Sequence, residues 1–494
     1  LNQPVDVLLV VPPCERLFDY DSTYYPLGIC YISAFLKEHG ISSAVVYLDI
    51  FKKTMAWRIE SLFFREMRKI SRKIRRYGEL ANDPNADLWK EIWVAMDEFH
   101  PKIVGITSTT FTIPSVTNVA RAVKQKNPDV KVVVGGPAAT TSPKIVAGIP
   151  FVDFIVEGEG ERKMLNICRS ILAKGSRIDE EMITNLDSLP FPERDAVFTV
   201  ENGKVKQCQF YLNIASSRGC PHKCKFCANR VTWGAKYRLR SVKNVVDEIE
   251  YNVTHKGVRD FHFVDDLFTI TKKRVLEFCA ELHARNLKIT WRAYACINTI
   301  DREMLEAMKA AGCYYLSFGV ESGNDRVLRH MNKSQTVALI KEKAAIINEV
   351  GIQWLCLAIK GIPTETIEEM NDTLRLIHEI KPTRAFISTF TPYPGSEFFD
   401  EIVAAGRMKD AMLNDQRAID NNYTGTMSDH DFRKEADRIT RFFDCYNYIH
   451  EPVTLHRTGH ILRDWASFLV RWPIFFVIGI VSRIEMRYVH GFKR

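Results

Sequence analysis

The chain is poor in three things that would each have set its class: apolar runs of membrane-spanning length, cysteines at disulfide spacing, and an excess of one charge. Its apolar run near the carboxyl terminus, Trp472 to Val481, is about half the roughly 20 residues a spanning helix needs, so none is expected. Twelve cysteines are scattered over 494 residues, several inside apolar runs such as "GICYIS" and "WLCLAIK". They read as reduced, buried thiols of a cytoplasmic protein rather than as a disulfide framework. With 68 basic against 60 acidic residues the net charge is only +8, which does not call for nucleic acid as a partner. The opening "LNQPVDVLLVV" has no basic segment ahead of its apolar residues and no small-residue cleavage site, and is expected to be a first strand rather than a signal.

What is present is ordinary globular sequence, 46% hydrophobic and 26% charged, long enough for two or three domains. From residue 1 to 184 the runs "DVLLVV", "SAVVYL", "KIVGIT", "VKVVVG" and "DFIV" alternate with helical patterns. Continuous apolar strands are buried on both faces, which predicts a Rossmann-like parallel sheet with helices on each side. Ligands on such a sheet sit beyond the carboxyl ends of its strands. The segments there are turn-rich: "VPPCE" with Pro13, "GITSTT" with Ser108 and Thr109, "VGGPAATT" with Gly135, Gly136 and Pro137, and "VEGEGE" with Glu157, Gly158 and Glu159. Glycines and small hydroxyl residues permit close backbone approach to a bulky ligand, although "TSTT" serves equally well as a helix cap. An insertion at 51–98, opening "FKKTMAWRIESLFFREMRKISRKIRRYG", reads as a basic amphipathic helix, either a solvated face or a partner or membrane site.

The segment 185–204, opening "NLDSLPFPERD", is a Pro-punctuated linker. Beyond it, 205–404 repeats strand then helix six times, with strands "FYLNIA", "DFHFVD", "ITWRAYA", "YLSFGV", "WLCLAIK" and "AFISTF". Six such units make a partial (β/α)6 barrel, whose chemistry belongs at the carboxyl ends of the strands. Residues 405–494 form a helical region whose tail sets Arg471, Arg483 and Arg487 around aromatic and aliphatic bulk. That suits a helix at a membrane interface, or one packed on the protein body.

After the first barrel strand stands "SSRGCPHKCKFCANR", with Cys220, Cys224 and Cys227. A structural zinc site wants four ligands and would have to recruit His222 from the loop. A cubane iron-sulfur cluster held by three thiolates keeps one iron open to an exogenous ligand, which makes it a reaction site rather than an electron wire.

CxxxCxxC with Phe226 ahead of the last cysteine resembles the signature of the radical S-adenosylmethionine enzymes. The flanks resemble their cobalamin-binding branch, which includes anaerobic magnesium-protoporphyrin ester cyclases and C- and P-methyltransferases. They are "PLGICYISAFLKEHG" with Leu27 and Gly28, "VGGPAAT", "VEGEGE", "LPFPERD", "FVDDLF", "MKAAGCYYLSFGVESGNDRVLRHMNK", "IKGIPTET" and "TFTPYPGSEFF". The resemblance covers about residues 5–400. It implies that Cys220, Cys224 and Cys227 hold a [4Fe-4S] cluster whose fourth iron takes S-adenosylmethionine, the source of a 5′-deoxyadenosyl radical. Phe226, Gly361 and Pro363 are then expected near the adenine, Glu321 on the ribose or the methionyl ammonium rather than in a cap or salt bridge within the barrel, and Asp265 and Asp266 either near substrate or cofactor or paired with nearby basic groups. Cobalamin is expected on the first domain at the loops named above, with Leu27 and Gly28. Flavodoxin or ferredoxin is the expected electron donor.

Two departures stand out. The first region lacks the D-x-H-x-x-G that ligates cobalt through histidine, and relatives' "RVD" after the third barrel strand is here Cys296, Ile297 and Asn298. Methyl transfer to an unactivated carbon of a hydrophobic substrate such as an isoprenoid, lipid or tetrapyrrole is the favoured activity. Radical cyclisation or ring rearrangement without methyl transfer uses the same apparatus. An electron carrier would need all four irons ligated, and a cobalamin carrier would need no barrel.

Overall fold

The computed structural model describes residues 4–14, 26–49, 77–208, 212–234, 236–408 and 421–450. The basic stretch 51–76 and the tail beyond 450 lie outside the described residues, and with them the two expectations of membrane or partner contact. Among the described residues no helix is long and apolar enough to cross a membrane. These residues form two compact units, one holding those up to 266 together with 392–408, the other 267–391 and 421–450.

The first unit contains a seven-stranded sheet in the order β5-β4-β3-β1-β2-β6-β7. Strands β1 (Val7–Val11), β2 (Ser43–Tyr47), β3 (Ile103–Thr107), β4 (Lys131–Gly135), β5 (Phe154–Ile155) and β6 (Val197–Glu201) run parallel. The edge strand β7 (Lys204–Gln207) is antiparallel. Alternate residues feed two separate cores. Leu8, Val10, Val104 and Val134 enter one, with Trp89 and the helix Glu91–Phe99, while Val7, Leu9, Ile103 and Val133 enter the other, with the helices Leu27–Glu38 and Gly160–Leu172. Burial on both faces is why these strands are continuously apolar. Because β1 lies between β2 and β3, the chain leaves β1 in one direction and β3 in the other, and their carboxyl ends mark the switch point at which such sheets bind ligands.

The same unit carries the first two barrel strands, β8 (Leu212–Ile214) and β11 (Asp260–Phe263), paired in parallel. Between them a two-residue antiparallel ribbon, β9 (Ser217–Arg218) with β10 (Arg238–Leu239), encloses the cysteine segment and the short helix Asn229–Trp233.

In the second unit β12 (Thr290–Ala295), β13 (Cys313–Glu321), β14 (Gln353–Lys360) and β15 (Arg384–Thr389) are parallel neighbours. The helices between them start where the sequence supplies a cap. Asp301, Thr336 and Thr366 each accept a hydrogen bond from the backbone N–H three residues on. Trp291, Phe268 and Phe278 interlock in the core with ring centroids 5.2 to 5.5 Å apart. The helix Asp429–His450 covers the edge of β15, where Asn447 exchanges two hydrogen bonds with the Ala385 backbone, at 2.7 and 2.6 Å.

Candidate functional site

The loops at the carboxyl ends of β3, β4 and β5 are tied to one another. Ser108 is buried, with its backbone N–H and its hydroxyl both donating to the Gly135 carbonyl, at 2.8 and 2.7 Å. Thr109 is exposed and forms a capping box with Thr112, so the cap that "TSTT" offered is present. Gly136 has φ +96°, and a Cβ there would come within 2.7 Å of the Ser108 carbonyl oxygen, so only glycine fits. Pro137 is exposed and opens the short helix Pro137–Thr141. Thr140 of that helix accepts a hydrogen bond from the Gly158 N–H at 2.8 Å, which links the β4 and β5 loops.

Of the other residues expected at this end, Glu157 and Gly158 are exposed, and so is Gly28 at the start of the helix Leu27–Glu38. No atom lies within 4 Å of where a Cβ would stand on Gly28 or Gly158, which leaves room for a ligand there. Pro13 is buried behind β1, next to Cys14, whose N–H donates to Asp49 at 2.5 Å, and Leu27 is half-buried against the core.

Glu159 is not aimed at open space. Its carboxylate takes Arg218 at 2.8 Å and Arg238 at 2.9 Å, and Arg218 also reaches Glu161 at 2.6 Å. Both guanidinium groups are buried, and Arg218 lies over the rings of Tyr31 and Trp233, at 5.3 and 5.4 Å. Burial works to raise the Glu159 carboxyl, but Arg238 and Arg218 outweigh it and hold the group below its ordinary range. Arg240 next bonds Glu248 at 2.5 Å and the Tyr31 hydroxyl at 3.2 Å, and Arg194 takes the other oxygen of Glu248.

These arginines bracket the cysteine segment. Gly219, φ +88°, turns the chain from Arg218 into Cys220, and a Cβ there would meet the Lys236 carbonyl at 2.7 Å. Cys220 and Cys224 are half-buried, Cys227 is exposed, and none is in a disulfide. Elsewhere among the described cysteines, burial pushes the thiols of Cys168 and Cys279 up to about 12. Phe226 is half-buried beside Lys225, whose carbonyl accepts from the Phe398 N–H at 2.9 Å. The Lys225 ammonium bridges Glu397 and Glu401 at 2.8 Å each. Asp265, at the end of β11, is buried and accepts from the N–H and hydroxyl of Ser216 at 3.0 and 2.9 Å and from the Ser217 hydroxyl. It positions the segment ahead of the cysteines. Asp266 is raised by burial and by neighbouring Asp265, against a hydrogen bond from Asn229.

In the second unit Glu321 closes β13 with a left-handed φ of +66° and pairs with Lys333 at 2.9 Å. Gly361 is buried, φ +82°, with the Phe432 ring 2.8 Å from where a Cβ would stand, and its N–H donates to Glu365 at 2.6 Å. Pro363 is buried nearby.

Among the described residues no three His, Cys, Asp or Glu side chains converge as one ion would require. A cluster in which each thiolate takes a different iron does not need that convergence, and three accessible thiols on one short loop fit it. The open positions at Gly28 and Gly158, on the rim of the crevice end of the sheet, fit a large ligand.

This combination defines a class: a sheet with a ligand crevice, followed by a strand-helix barrel with three thiols after its first strand. Residues 17–167 match the B12 binding domain model and residues 214–377 the radical SAM superfamily model. An uncharacterised methyltransferase of Pyrococcus horikoshii is 28% identical over 418 residues, 81% of this chain and 83% of that one. The anaerobic magnesium-protoporphyrin IX monomethyl ester cyclase of Rubrivivax gelatinosus is 29% identical over 65% of this chain and 62% of its own length. The radical S-adenosylmethionine methyltransferase TsrM of Kitasatospora setae, solved with cobalamin and a [4Fe-4S] cluster, has the same fold, with a TM-score of 0.60 at 16% identity over 98% of this chain and 100% of that one. The chain combines a B12 binding domain with a radical SAM domain and is similar to a radical S-adenosylmethionine methyltransferase and to ester cyclases. It is an enzyme whose cofactors are a [4Fe-4S] cluster, S-adenosylmethionine and cobalamin, and methyl transfer is its favoured activity.

Sequence reasoning missed Arg218, Arg238, Glu161 and Lys225. Arg218 stands immediately before the "GC" of the motif and Glu161 at the end of "GEGE", but nothing local marks them as partners.

Proposed function

We propose that the enzyme methylates an unactivated carbon of a hydrophobic small molecule, a tetrapyrrole or an isoprenoid lipid. The observation that carries the joint use of both cofactors is the packing of the helix Pro137–Thr141, which follows the β4 loop, against the helix Asn229–Trp233, which follows Cys227, while the substrate class follows the similarity to an ester cyclase and a hopanoid methylase. Two sets of cofactor-type loops therefore meet within one compact unit. Bound, the cluster and S-adenosylmethionine supply a carbon-centred radical and cobalamin supplies the methyl group.

The chain's part is placement. Cys220, Cys224 and Cys227 hold the iron, and Phe226 lies beside the adenine. Glu321, held at a left-handed φ and paired with Lys333, receives the ribose hydroxyls or the methionyl ammonium. Gly361 and Pro363 act on the adenine less directly, because Phe432 of the chain itself packs on Gly361. The rim of the first sheet, Gly28, Ser108, Thr109, Gly135, Gly136, Pro137, Glu157 and Gly158, receives cobalamin, backed by Pro13, Leu27 and the salt-bridged Glu159. The division into a cobalamin domain (1–184), a barrel (205–404) and a helical region (405–494) belongs to the same proposal, except that 185–204, expected as a linker, adds β6 to the first sheet and that sheet runs on to β7. Flavodoxin or ferredoxin delivers electrons in the cytoplasm, and the basic, apolar tail brings the enzyme to a membrane surface that holds the substrate.

The similarity to the ester cyclase favours a second reading, radical cyclisation without methyl transfer. Reconstituted enzyme given methyl-labelled S-adenosylmethionine and tetrapyrrole or isoprenoid extracts distinguishes the two. Methyl transfer produces S-adenosylhomocysteine together with 5′-deoxyadenosine and labels the product. Cyclisation produces 5′-deoxyadenosine alone, and that result would remove the methyltransferase reading.

A further inference from the structure

We propose that the buried ion-pair cluster around Arg218 couples the two cofactor sites, so that each cofactor binds more tightly when the other is in place. This rests on the assignment of cobalamin and the cluster to the loops described above. The connection is continuous. The Gly158 N–H is fastened to Thr140 of the β4 loop at 2.8 Å, and the next residue, Glu159, grips Arg218 and Arg238. Arg218 adds Glu161 at 2.6 Å and directly precedes Gly219 and Cys220.

Both arginines are buried, and Arg218 also contacts the rings of Tyr31 and Trp233, so neither can follow its carboxylates by drifting through solvent. A two-pronged guanidinium held by two carboxylates has one good geometry, and a shift of the β5 loop has to be transmitted to β9 or break a buried ion pair. A cofactor that orders the rim at Gly136 and Gly158 therefore fixes the entry to the cysteine loop, and assembly of the cluster costs less ordering. Linkage makes the effect reciprocal. The helices Pro137–Thr141 and Asn229–Trp233 pack together beside this path and reinforce it.

The test is the dissociation constant of hydroxocobalamin, titrated by absorbance into iron-replete and iron-free full-length protein. The wild type is expected to bind at least about fivefold more tightly when replete, within the usual range of coupling between sites. Glu161→Gln removes one charge from Arg218 and keeps the shape, and is expected to bring the two constants together. Should that variant fail to fold, Arg218→Lys decides. It keeps the charge but not the fork, and a reduced ratio is expected. A wild-type ratio of one, or an undiminished ratio in the variant that folds, overturns the coupling while leaving both cofactors in place. A wild type that takes up no cobalamin, or no iron, overturns the cofactor assignment and the coupling with it.

Discussion

Gly136→Ala tests the rim of the first sheet most sharply. Two costs can be worked from the structure. A residue with a Cβ at φ +96°, ψ −175° loses on the order of 1–3 kcal/mol relative to glycine. The new methyl would also stand 2.7 and 2.8 Å from the carbonyl oxygen and nitrogen of Ser108, backbone atoms that cannot rotate away. Those two atoms bond Ala138 at 3.1 Å and Gly135 at 2.8 Å, and separating the β3 and β4 loops weakens both bonds, at about 1 kcal/mol each. The sum is about 3–5 kcal/mol, at least on the order of 100-fold in affinity if cobalamin needs the loops as they stand. The assay is anaerobic absorbance titration with hydroxocobalamin, alongside thermal melting. Gly28→Ala is the control for fold, since nothing lies within 4 Å of its Cβ position, inside a helix, and its melting temperature should not fall. If Gly136→Ala bound cobalamin as the wild type does, the rim would not be the binding site.

Three further outcomes are expected. Gly219→Ala, with φ +88° and the Lys236 carbonyl 2.7 Å from the new Cβ, should lower iron retained after reconstitution while leaving cobalamin uptake largely intact, as read by metal analysis. Lys225→Met removes two partly exposed ion pairs and should cost under about 1 kcal/mol, whereas Phe398→Ala, fully buried behind the cysteine loop, should cost roughly 3–5 kcal/mol; equal melting temperatures would contradict this ranking. Burial pushes Glu365 up to about 8, against the Gly361 and Ile362 N–H groups that favour its charge. The folded state thus holds an extra proton between about pH 4.3 and 8, so this group's contribution is greatest below that window and falls as pH rises through it, by up to about 1.4 kcal/mol per unit, then levels off above 8. Glu365→Gln should flatten that slope and melt higher than the wild type at pH 8 to 9; parallel pH profiles would count against a buried, proton-holding carboxyl.

The strands of both units were legible because each is an apolar run between turn residues, and the helices because Ser241, Asp301, Thr336 and Thr366 announce their starts. Within 185–204 the chain contributes β6 and turns into β7 through Asn202 and Gly203, whose φ values of 51° and 71° make the Asn-Gly hairpin that "ENGK" advertises. That signal was present and went unread. The ribbon β9–β10 is only two residues a side, too short to show a period. The motif placed Cys220, Cys224 and Cys227, but their support comes from Glu159 and Glu161, 59 and 57 residues away from Arg218, and from Phe398. Such pairs are set by how strands from distant parts of the chain stack, which no local pattern encodes. Glu159 illustrates the limit: its place in "GEGE" drew it into the ligand set, and two buried arginines hold it instead.

The central claim is that one chain houses an iron-sulfur cluster on three cysteines and cobalamin on a separate fold. Anaerobic reconstitution with iron, sulfide and saturating cobalamin, followed by gel filtration and metal analysis, tests it directly when run beside the Cys220→Ala, Cys224→Ala, Cys227→Ala variant. The account predicts about four irons and about one cobalt per chain, with iron lost and cobalt retained in the variant. Iron without cobalt in the wild type would contradict it.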